Sequence, residues 1–381
     1  MKKKMRNIVY SIFCIKIYMK NERINVTKTF LPKQTEYQKI LSRSWDKSWI
    51  TNRGELILEL ENKIKEQYNI SNILATTNGT LPLQIAIKSL ELKGDIITTP
   101  FSYIATTSSI IWEGCNPVFV DINKDTFNID ASNIENAITP QTSAILVTHV
   151  FGNPCNILKI DNIAKKYNLK VIYDAAHCFG VNYNNQSIFE YGDVSTCSFH
   201  ATKIFHTGEG GALFTKDKAL FDKIYYHHNF GHKGASDFYG LGINAKISEL
   251  QAAMGLAVFP YLETIFERRK ILYKLYKKEL QEKVNFQEIE PNCDYNYSYM
   301  PVVLESEKQL LEVVEALNIN NIFPRRYFNP SLNTIEYVNG DVMPISESIS
   351  SRILCLPLYF DLDEENVMRI CKLISNCILN E

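Results

Sequence analysis

Apolar and polar positions follow two alternating periods along most of the chain. Short, mostly apolar runs at 95–99, 118–121, 144–149 and 170–174 predict buried strands. Longer runs with apolar residues on one helical face, at 55–67 and 157–167, predict amphipathic helices. Because these strands and helices alternate, the pattern predicts an α/β fold, with a mixed, mostly parallel sheet between layers of helices.

The pattern changes after Ser248. A long helical pattern begins there, with Glu249 in its first turn, and runs to about 280. A strand at 298–304 and helices at 307–317 and 364–377 follow, which is typical of a small α+β unit. We therefore divide the chain into an N-terminal extension (1–23), a large cofactor-binding domain (24–247), and a linking helix with a small C-terminal domain (248–381).

The first residues form a separate pattern. A basic segment at 1–6 precedes a short apolar segment, but Lys16 interrupts the latter and no small-residue cleavage site follows. We interpret 1–23 as a non-catalytic extension, with Met19 as an alternative start of translation to Met1. A weak membrane tether is the other interpretation.

Composition narrows the function classes. The 381 residues are 45% hydrophobic and 22% charged, as in ordinary globular proteins. The 41 basic and 42 acidic residues give a net charge of -1, which excludes a strongly basic surface for nucleic acid. The nine cysteines are scattered and match neither a disulfide framework nor a metal-binding pattern. A reducing cytoplasm is the expected location.

The candidate chemistry centres on Lys203. It closes the segment 198–203, follows Asp174 at the end of a predicted strand, and precedes the glycine-rich turn 207–211. An amine, a carboxylate at the carboxyl end of a strand and a glycine-rich turn are what a pyridoxal phosphate site needs. Lys203 would form the Schiff base, and Asp174 would keep the pyridine nitrogen protonated. The turn lacks the spacing of a dinucleotide-binding fingerprint.

Other residues complete this predicted site. His177 is placed to lie over the ring or to bond its phenolic oxygen, the alternative being a packed turn histidine. The Ser198 hydroxyl, with Gly79 and Thr80 at the start of a predicted helix, would bind the phosphate, because free amides at a helix N-terminus favour anions. Tyr103 would stack on the pyridine, with core packing as the alternative.

These segments, in this order, resemble the DegT/StrS-type sugar aminotransferases. That family is of fold type I, depends on pyridoxal 5′-phosphate and aminates keto groups of nucleotide-linked sugars. The resemblance covers nearly everything from Ile24 onward and includes Asn78-Gly79-Thr80, Pro117-Val118-Phe119-Val120-Asp121, His149-Val150-Phe151-Gly152 and Asp174-Ala175-Ala176-His177. It implies Lys203 as the Schiff-base and proton-transfer lysine. For the cofactor's other groups it implies Asp174, His177, Ser198, Gly79, Thr80 and Tyr103.

The resemblance also implies a homodimer. Family members use the stretch matching 242–253, and the preceding Asn229, to reach the neighbouring subunit's site. It implies Asn229 as a cofactor contact and Thr51, Asn52 and Asn244 as substrate contacts. Lys246 stands where the family usually has arginine, which keeps the charge but loses bidentate geometry.

The resemblance implies L-glutamate as amino donor. Segments 198–203 and 324–328 are most similar to enzymes that form 4-amino-4,6-dideoxyglucose nucleotides, which implies dTDP-4-keto-6-deoxy-D-glucose as acceptor and a role in surface polysaccharide (O-antigen) synthesis. Arg326 and Tyr327 are candidates for the diphosphate or sugar, against a surface cation beside a core aromatic.

Two other functions stay open. One is amination of a 3-keto sugar nucleotide, and the other is a non-catalytic sugar-nucleotide sensor that keeps the fold. A related sugar dehydratase would need the lysine replaced, whereas Lys203 is intact.

Overall fold

Residues 23–338 and 340–379 are described by the computed structural model. The predicted extension, apart from Arg23, lies outside the described residues. Fifteen strands occur within the described part: β1 (Ile24–Asn25), β2 (Ile73–Thr76), β3 (Asp95–Thr98), β4 (Asn116–Phe119), β5 (Thr142–Thr148), β6 (Lys170–Asp174), β7 (Asn182–Tyr183), β8 (Gln186–Ser187), β9 (Val194–Ser198), β10 (Gly211–Phe214), β11 (Asn285–Phe286), β12 (Cys293–Asp294), β13 (Pro301–Val303), β14 (Ile322–Phe323) and β15 (Ile353–Cys355).

Eleven α-helices occur in the same part of the chain: α1 (Gln34–Asp46), α2 (Glu55–Tyr68), α3 (Leu81–Ser89), α4 (Ile104–Trp112), α5 (Ile157–Tyr167), α6 (Lys218–His228), α7 (Glu249–Val258), α8 (Leu262–Leu280), α9 (Glu307–Ile319), α10 (Pro344–Arg352) and α11 (Glu364–Leu379). None of them is long and apolar enough to cross a membrane. The predicted helices at 55–67 and 157–167 match α2 and α5 closely.

A seven-stranded sheet forms the centre of the fold, in the order β2-β10-β9-β6-β5-β3-β4. Its pairings are parallel except that β10 runs antiparallel to both β2 and β9. The mixed, mostly parallel sheet predicted from the sequence is therefore confirmed. Since β2 and β9 run the same way, the carboxyl ends of β2, β3, β4, β5, β6 and β9 share one edge, where the loops after them meet.

Both faces of this sheet are covered. In β6, Val171 and Tyr173 belong to one buried cluster and Ile172 to another, because successive side chains in a strand point to opposite faces. Helices α2, α5 and α7 contribute to the first cluster, and α3 and α6 to the second. Burial on both faces explains why the strands read as nearly continuous apolar runs in the sequence.

A second, three-stranded sheet, β11-β13-β15, lies in the C-terminal part. Its residues share a buried cluster with α8, α9 and α11. The single long helix predicted from Ser248 to about 280 is wrong. Ser248 does cap α7 with a reciprocal capping box to Gln251. The chain then passes through a short 3-10 turn, Phe259–Tyr261, because Pro260 has no amide hydrogen and cannot continue α7 into α8.

Candidate active site

A cavity of about 280 Å³ opens at the edge where the parallel strands end. Its walls come from the loops after β2, β3, β6 and β9 and from two segments of the C-terminal part. The lining residues include eight that the sequence predicted: Gly79, Thr80, Tyr103, Asp174, His177, Ser198, Lys203 and Tyr327. The structure thus brings together residues that are up to 248 positions apart in the chain.

Lys203 lies in a tight turn between β9 and β10. Backbone hydrogen bonds from Phe199 to Gly210 (2.8 Å) and from Ala201 to Gly208 (2.7 Å) close this turn, and the Lys203 amide donates to His200 (2.8 Å). The Lys203 amine donates to the Tyr299 hydroxyl at 3.1 Å. The amine is therefore held inside the cavity, half-buried, and is not a solvated surface charge.

Asp174 ends β6 and is buried, with 6% of its surface exposed. Thr106 donates its hydroxyl hydrogen to Oδ2 at 2.7 Å, and the Ala176 amide donates to Oδ1 at 3.1 Å. Burial raises the pKa of Asp174, and these two hydrogen bonds oppose that rise. The charge of Lys203 also lowers this pKa, but no lysine, arginine or histidine among residues 23–338 and 340–379 lies within ion-pair distance of the carboxylate. A buried carboxylate in this state fits a ligand that brings a protonated nitrogen.

Thr106 positions Asp174, and its replacement tests this. We expect Thr106→Val to lower kcat/KM by about 10- to 100-fold, because a hydrogen bond to a charged group is worth roughly 1.5–3 kcal/mol. Thr107→Val is a matched control, since the neighbouring Thr107 hydroxyl is equally buried but has no hydrogen-bond partner within 23–338 and 340–379. Steady-state kinetics of both variants check this, and equal losses in the two would contradict it.

His177 is held in one tautomer. Its Nδ1 accepts a hydrogen bond from the Phe151 amide at 3.1 Å, so the neutral ring carries its proton on Nε2. Burial, with a smaller effect of the Lys203 charge, holds the pKa of His177 well below its usual range. The imidazole is therefore a neutral hydrogen-bond donor through Nε2, which suits an anionic oxygen on a ring.

The predicted phosphate cradle lies where β2 runs into α3. A Cβ at Gly79 would lie 2.7 Å from the Cβ of Ser198, so glycine keeps open the space that the two turns share. The amides of Thr80 and Leu81 both donate to Asn78 Oδ1 at 2.9 Å, so an anion bound through them would have to replace that side chain. The Ser198 and Thr80 hydroxyls remain as candidate ligands.

Taken together, these residues fit pyridoxal 5′-phosphate. An amine, an unpaired buried carboxylate and a neutral imidazole donor line one cavity, with a glycine and two hydroxyls beside them. The Tyr103 ring lies at the mouth, with 56% of its surface exposed, where it is free to stack on a bound ring.

The other predicted site residues do not line this cavity. Thr51 and Asn52 lie in an exposed loop before α2. Asn229 and Asn244 face each other across an isolated antiparallel bridge, at the base of the exposed hairpin 229–244. The Lys246 amine in turn contacts Asn244 at 2.8 Å and lies 4.3 Å from the centre of the Phe230 ring. That these four predicted residues, Thr51, Asn52, Asn229 and Asn244, contact the cavity of a second subunit stays a prediction.

Arg326 does not line the cavity either. Its guanidinium donates to Glu307 (2.6 Å) and to the Ser351 carbonyl (2.9 Å), which turns it away from the cavity. The adjacent Arg325 lines the cavity instead, with its guanidinium 4.8 Å from the centre of the Tyr327 ring. The sequence predicted Arg326 as the ligand because it does not show which of the two neighbouring arginines faces the cavity.

Sequence reasoning missed three residues that matter here: Thr106, Tyr299 and Arg325. Thr106 carries a weak signal, since it stands three residues after Tyr103, in the first turn of the helix that follows the same loop. Tyr299 carries no local signal, because it meets Lys203 across 96 residues of chain. Only the packing of the C-terminal part against the sheet shows its position.

A larger cleft, of about 870 Å³, lies between α1 and α2. Its charged side chains are largely bound to each other, as in the pairs Arg43–Glu55, Arg43–Glu59 and Arg53–Glu61. It is lined by no residue of the predicted site. Charges that are already paired leave little for a ligand to bind, so we assign the chemistry to the smaller cavity.

Comparison with known proteins gives consistent results. Residues 33–375 match the model of the DegT/DnrJ/EryC1/StrS aminotransferase family. A dTDP-4-amino-4,6-dideoxy-D-glucose transaminase of Escherichia coli is 38% identical over 370 residues, covering 93% of this chain and 99% of the relative. One of Shigella dysenteriae is 40% identical over 350 residues, covering 90% and 95%. The crystal structure of DesI, solved with its TDP-sugar product, has a TM-score of 0.89 at 28% identity, covering 93% of each chain.

Proposed function

Because the chain belongs to the DegT/DnrJ/EryC1/StrS aminotransferase family, we propose that it transfers the amino group of L-glutamate to dTDP-4-keto-6-deoxy-D-glucose. The product is then the 4-amino-4,6-dideoxy sugar nucleotide. The enzyme is a nucleotide-sugar aminotransferase that depends on pyridoxal 5′-phosphate. The observation that carries the proposal is the Lys203 amine and the unpaired, buried Asp174 carboxylate in one cavity. Similarity to two relatives with that named activity supports the substrate.

Each residue has a defined task in this reaction. When bound, the cofactor supplies an electron sink for the pair released as a substrate carbon loses its proton. Lys203 would hold it through Nζ, and the free amine of the same side chain would move the proton. Asp174 would keep a positive charge on the ring nitrogen, and His177 would donate from Nε2 to an oxygen substituent. Burial of these groups excludes water, which strengthens each electrostatic contact.

We assign the nucleotide diphosphate to Arg325, in place of Arg326. The Arg325 guanidinium lines the cavity and forms no ion pair within the described residues, so it is available to phosphate oxygens. We expect Arg325→Ala to raise KM for the nucleotide sugar by about 10- to 100-fold, the equivalent of one lost charged hydrogen bond. KM for glutamate should change little.

The neighbouring arginine is the control for that assignment. Arg326→Ala removes the same charge one position along but breaks only the contacts to Glu307 and Ser351. Its KM for the nucleotide sugar should stay within about threefold of wild type, with a loss of unfolding free energy of about 1 kcal/mol or less. A larger KM effect in Arg326→Ala than in Arg325→Ala would overturn the assignment.

We propose a homodimer in which each subunit completes the other's site. The hairpin at 229–244 exposes Phe230, Phe238 and Leu241 by 48%, 60% and 70%, and an apolar surface of this kind favours a partner. Asn229 and Asn244 lie on that hairpin, away from their own chain's cavity. We place the reaction in the cytoplasm, in the supply of sugar for a surface polysaccharide such as O-antigen.

The product identifies the function. Incubation of the loaded enzyme with L-glutamate and dTDP-4-keto-6-deoxy-D-glucose should give an amino sugar nucleotide whose mass and NMR spectrum place nitrogen on C4. Nitrogen on C3 of a 3-keto substrate would establish the rival regiochemistry. Bound cofactor with no amination of any keto sugar tested would support the sensor.

A further inference from the structure

The Tyr299 hydroxyl is the one group that holds the Lys203 amine in the described residues, at 3.1 Å. Building on the proposed function, we propose that Tyr299 is a positioning residue for that amine. Its hydroxyl binds the amine whenever Lys203 is not covalently attached, and so returns it to the same place for each proton transfer. Neither the lysine motif nor the strand carrying Asp174 contains this residue, which comes from the C-terminal part of the chain.

The segment that carries Tyr299 is fixed to the large sheet. Asn296 donates its side-chain amide to the carbonyls of His177 (2.8 Å) and Phe179 (2.9 Å), and Ser298 donates to the His177 carbonyl (2.6 Å). His177 and Phe179 lie in the loop that follows Asp174. The position of Tyr299 is therefore set by the loop that follows Asp174 and carries His177.

A buried arginine supports the segment from behind. Arg269 of α8 is 7% exposed and donates from its guanidinium to the carbonyls of Tyr297 and Ser298. Burial lowers the pKa of Arg269 to about 10, which still leaves it charged at neutral pH. Two backbone carbonyls next to Tyr299 are thus fixed by a cation that has no carboxylate partner in the described part.

The Tyr299 ring is packed on three sides. Its centre lies 4.9 Å from that of His177, 5.3 Å from Phe151 and 5.7 Å from Tyr327. The hydroxyl makes no hydrogen bond among the described residues other than the one with Lys203. Ring packing and hydroxyl function are therefore separable, because phenylalanine keeps the first and removes the second.

A phenol suits this task because its hydroxyl can both accept and donate a hydrogen bond. It accepts from a lysine ammonium, and it can donate to the nitrogen of a neutral amine, so it holds Lys203 in both states. A lysine side chain has about 2 kcal/mol of rotamer entropy, and fixing it beforehand favours a reactive geometry. Other titratable groups around the same cavity are Tyr103, Asp174, His177, His200, Glu209, Arg325 and Tyr327.

The test uses apoenzyme, so that it does not depend on turnover. Trace acylation with acetic anhydride across pH 6–11, followed by peptide mass spectrometry, gives the pH of half-maximal labelling of Lys203. We expect the Tyr299→Phe profile to be shifted to lower pH than the wild-type profile, because the charged amine loses an acceptor. Tyr299→His should restore part of the shift, since imidazole also accepts. Tyr297→Phe, on the same segment with a ring that packs on Tyr273 and Tyr295, should match wild type.

Turnover provides a second readout. In loaded enzyme, Tyr299→Phe should lower kcat by about 10- to 100-fold and leave KM for the nucleotide sugar within about threefold. Identical labelling profiles in Tyr299→Phe and wild type, or an equal shift in Tyr297→Phe, would overturn the proposal. Failure of the proposed function is seen separately, as wild-type protein that yields no pyridoxyl-Lys203 peptide after borohydride reduction with pyridoxal phosphate.

Discussion

Lys203→Ala abolishes transamination, with an expected loss in kcat of about 10⁴-fold or more, because one side chain serves as both covalent anchor and proton carrier. No other lysine lines the cavity among the described residues, so none is placed to replace it. The visible absorbance band of covalently bound cofactor should disappear in the same variant. Single-turnover assays and absorbance spectra of purified protein check both effects.

Two controls separate chemistry from structure. Lys203→Arg keeps the charge but cannot form the Schiff base, so we expect it to be nearly as inactive as the alanine variant. Lys216→Ala removes an exposed lysine beside Tyr191, remote from the cavity, and should retain wild-type activity. Substantial turnover by Lys203→Arg would show that the lysine acts through its charge alone, which would contradict the assigned role.

Asp174→Asn has the second largest expected effect, a loss in kcat of about 10²- to 10³-fold with the fold intact. Asparagine has the shape of aspartate and can still accept a hydrogen bond from Thr106 or Ala176, but it provides no charge for a ring nitrogen. Asp193→Asn is the matched control. Asp193 accepts from the Val171 amide at 2.8 Å near the opposite end of β6 and should not affect the cofactor.

Asp174→Asn should also raise the thermal stability of the apoenzyme at high pH. Burial raises the pKa of Asp174 above its ordinary value of 3.8. Between pH 3.8 and the raised pKa, the folded protein keeps a proton on Asp174 that the unfolded chain has lost. The contribution of Asp174 to the free energy of unfolding is therefore fully present below pH 3.8 and is lost as pH rises through the raised pKa. Asp174→Asn removes this loss of stability at high pH. We expect apo Asp174→Asn to melt above apo wild type at pH 8, with the difference closing towards pH 4, in thermal unfolding followed by circular dichroism. A lower Tm at pH 8 would contradict the sign.

The sequence predicted those parts of the site that lie next to a strand end. Asp174, Ser198 and Gly79 each lie at or shortly after the end of a predicted strand, and the carboxyl ends of parallel strands meet at one edge, so their proximity could be inferred. The α/β class followed from the same runs. The cofactor followed from the kinds of side chain placed there, and the family from several segments in a fixed order.

Other features depend on contacts that no local pattern reports. Proline at 260 does indicate a break in the helix, but the helical spacing of apolar residues on both sides of it led to the prediction of one long helix. The choice between Arg325 and Arg326 depends on which way one residue turns beside β15, to which Arg325 is bridged at Cys355. Tyr299 required knowledge of how the C-terminal segment packs on the loop after β6, and that packing involves buried polar side chains far apart in sequence.

The hydrogen bonds from Asn296 and Ser298 to the loop after Asp174 also limit how the enzyme can move. Many two-domain enzymes admit their ligands by swinging one domain about a hinge. Here such a swing would break three hydrogen bonds, two of them buried, and displace the tyrosine that contacts the Lys203 amine. These bonds therefore favour entry of ligands through the opening beside Tyr103 and Arg325, with the segment that carries Tyr299 kept in place.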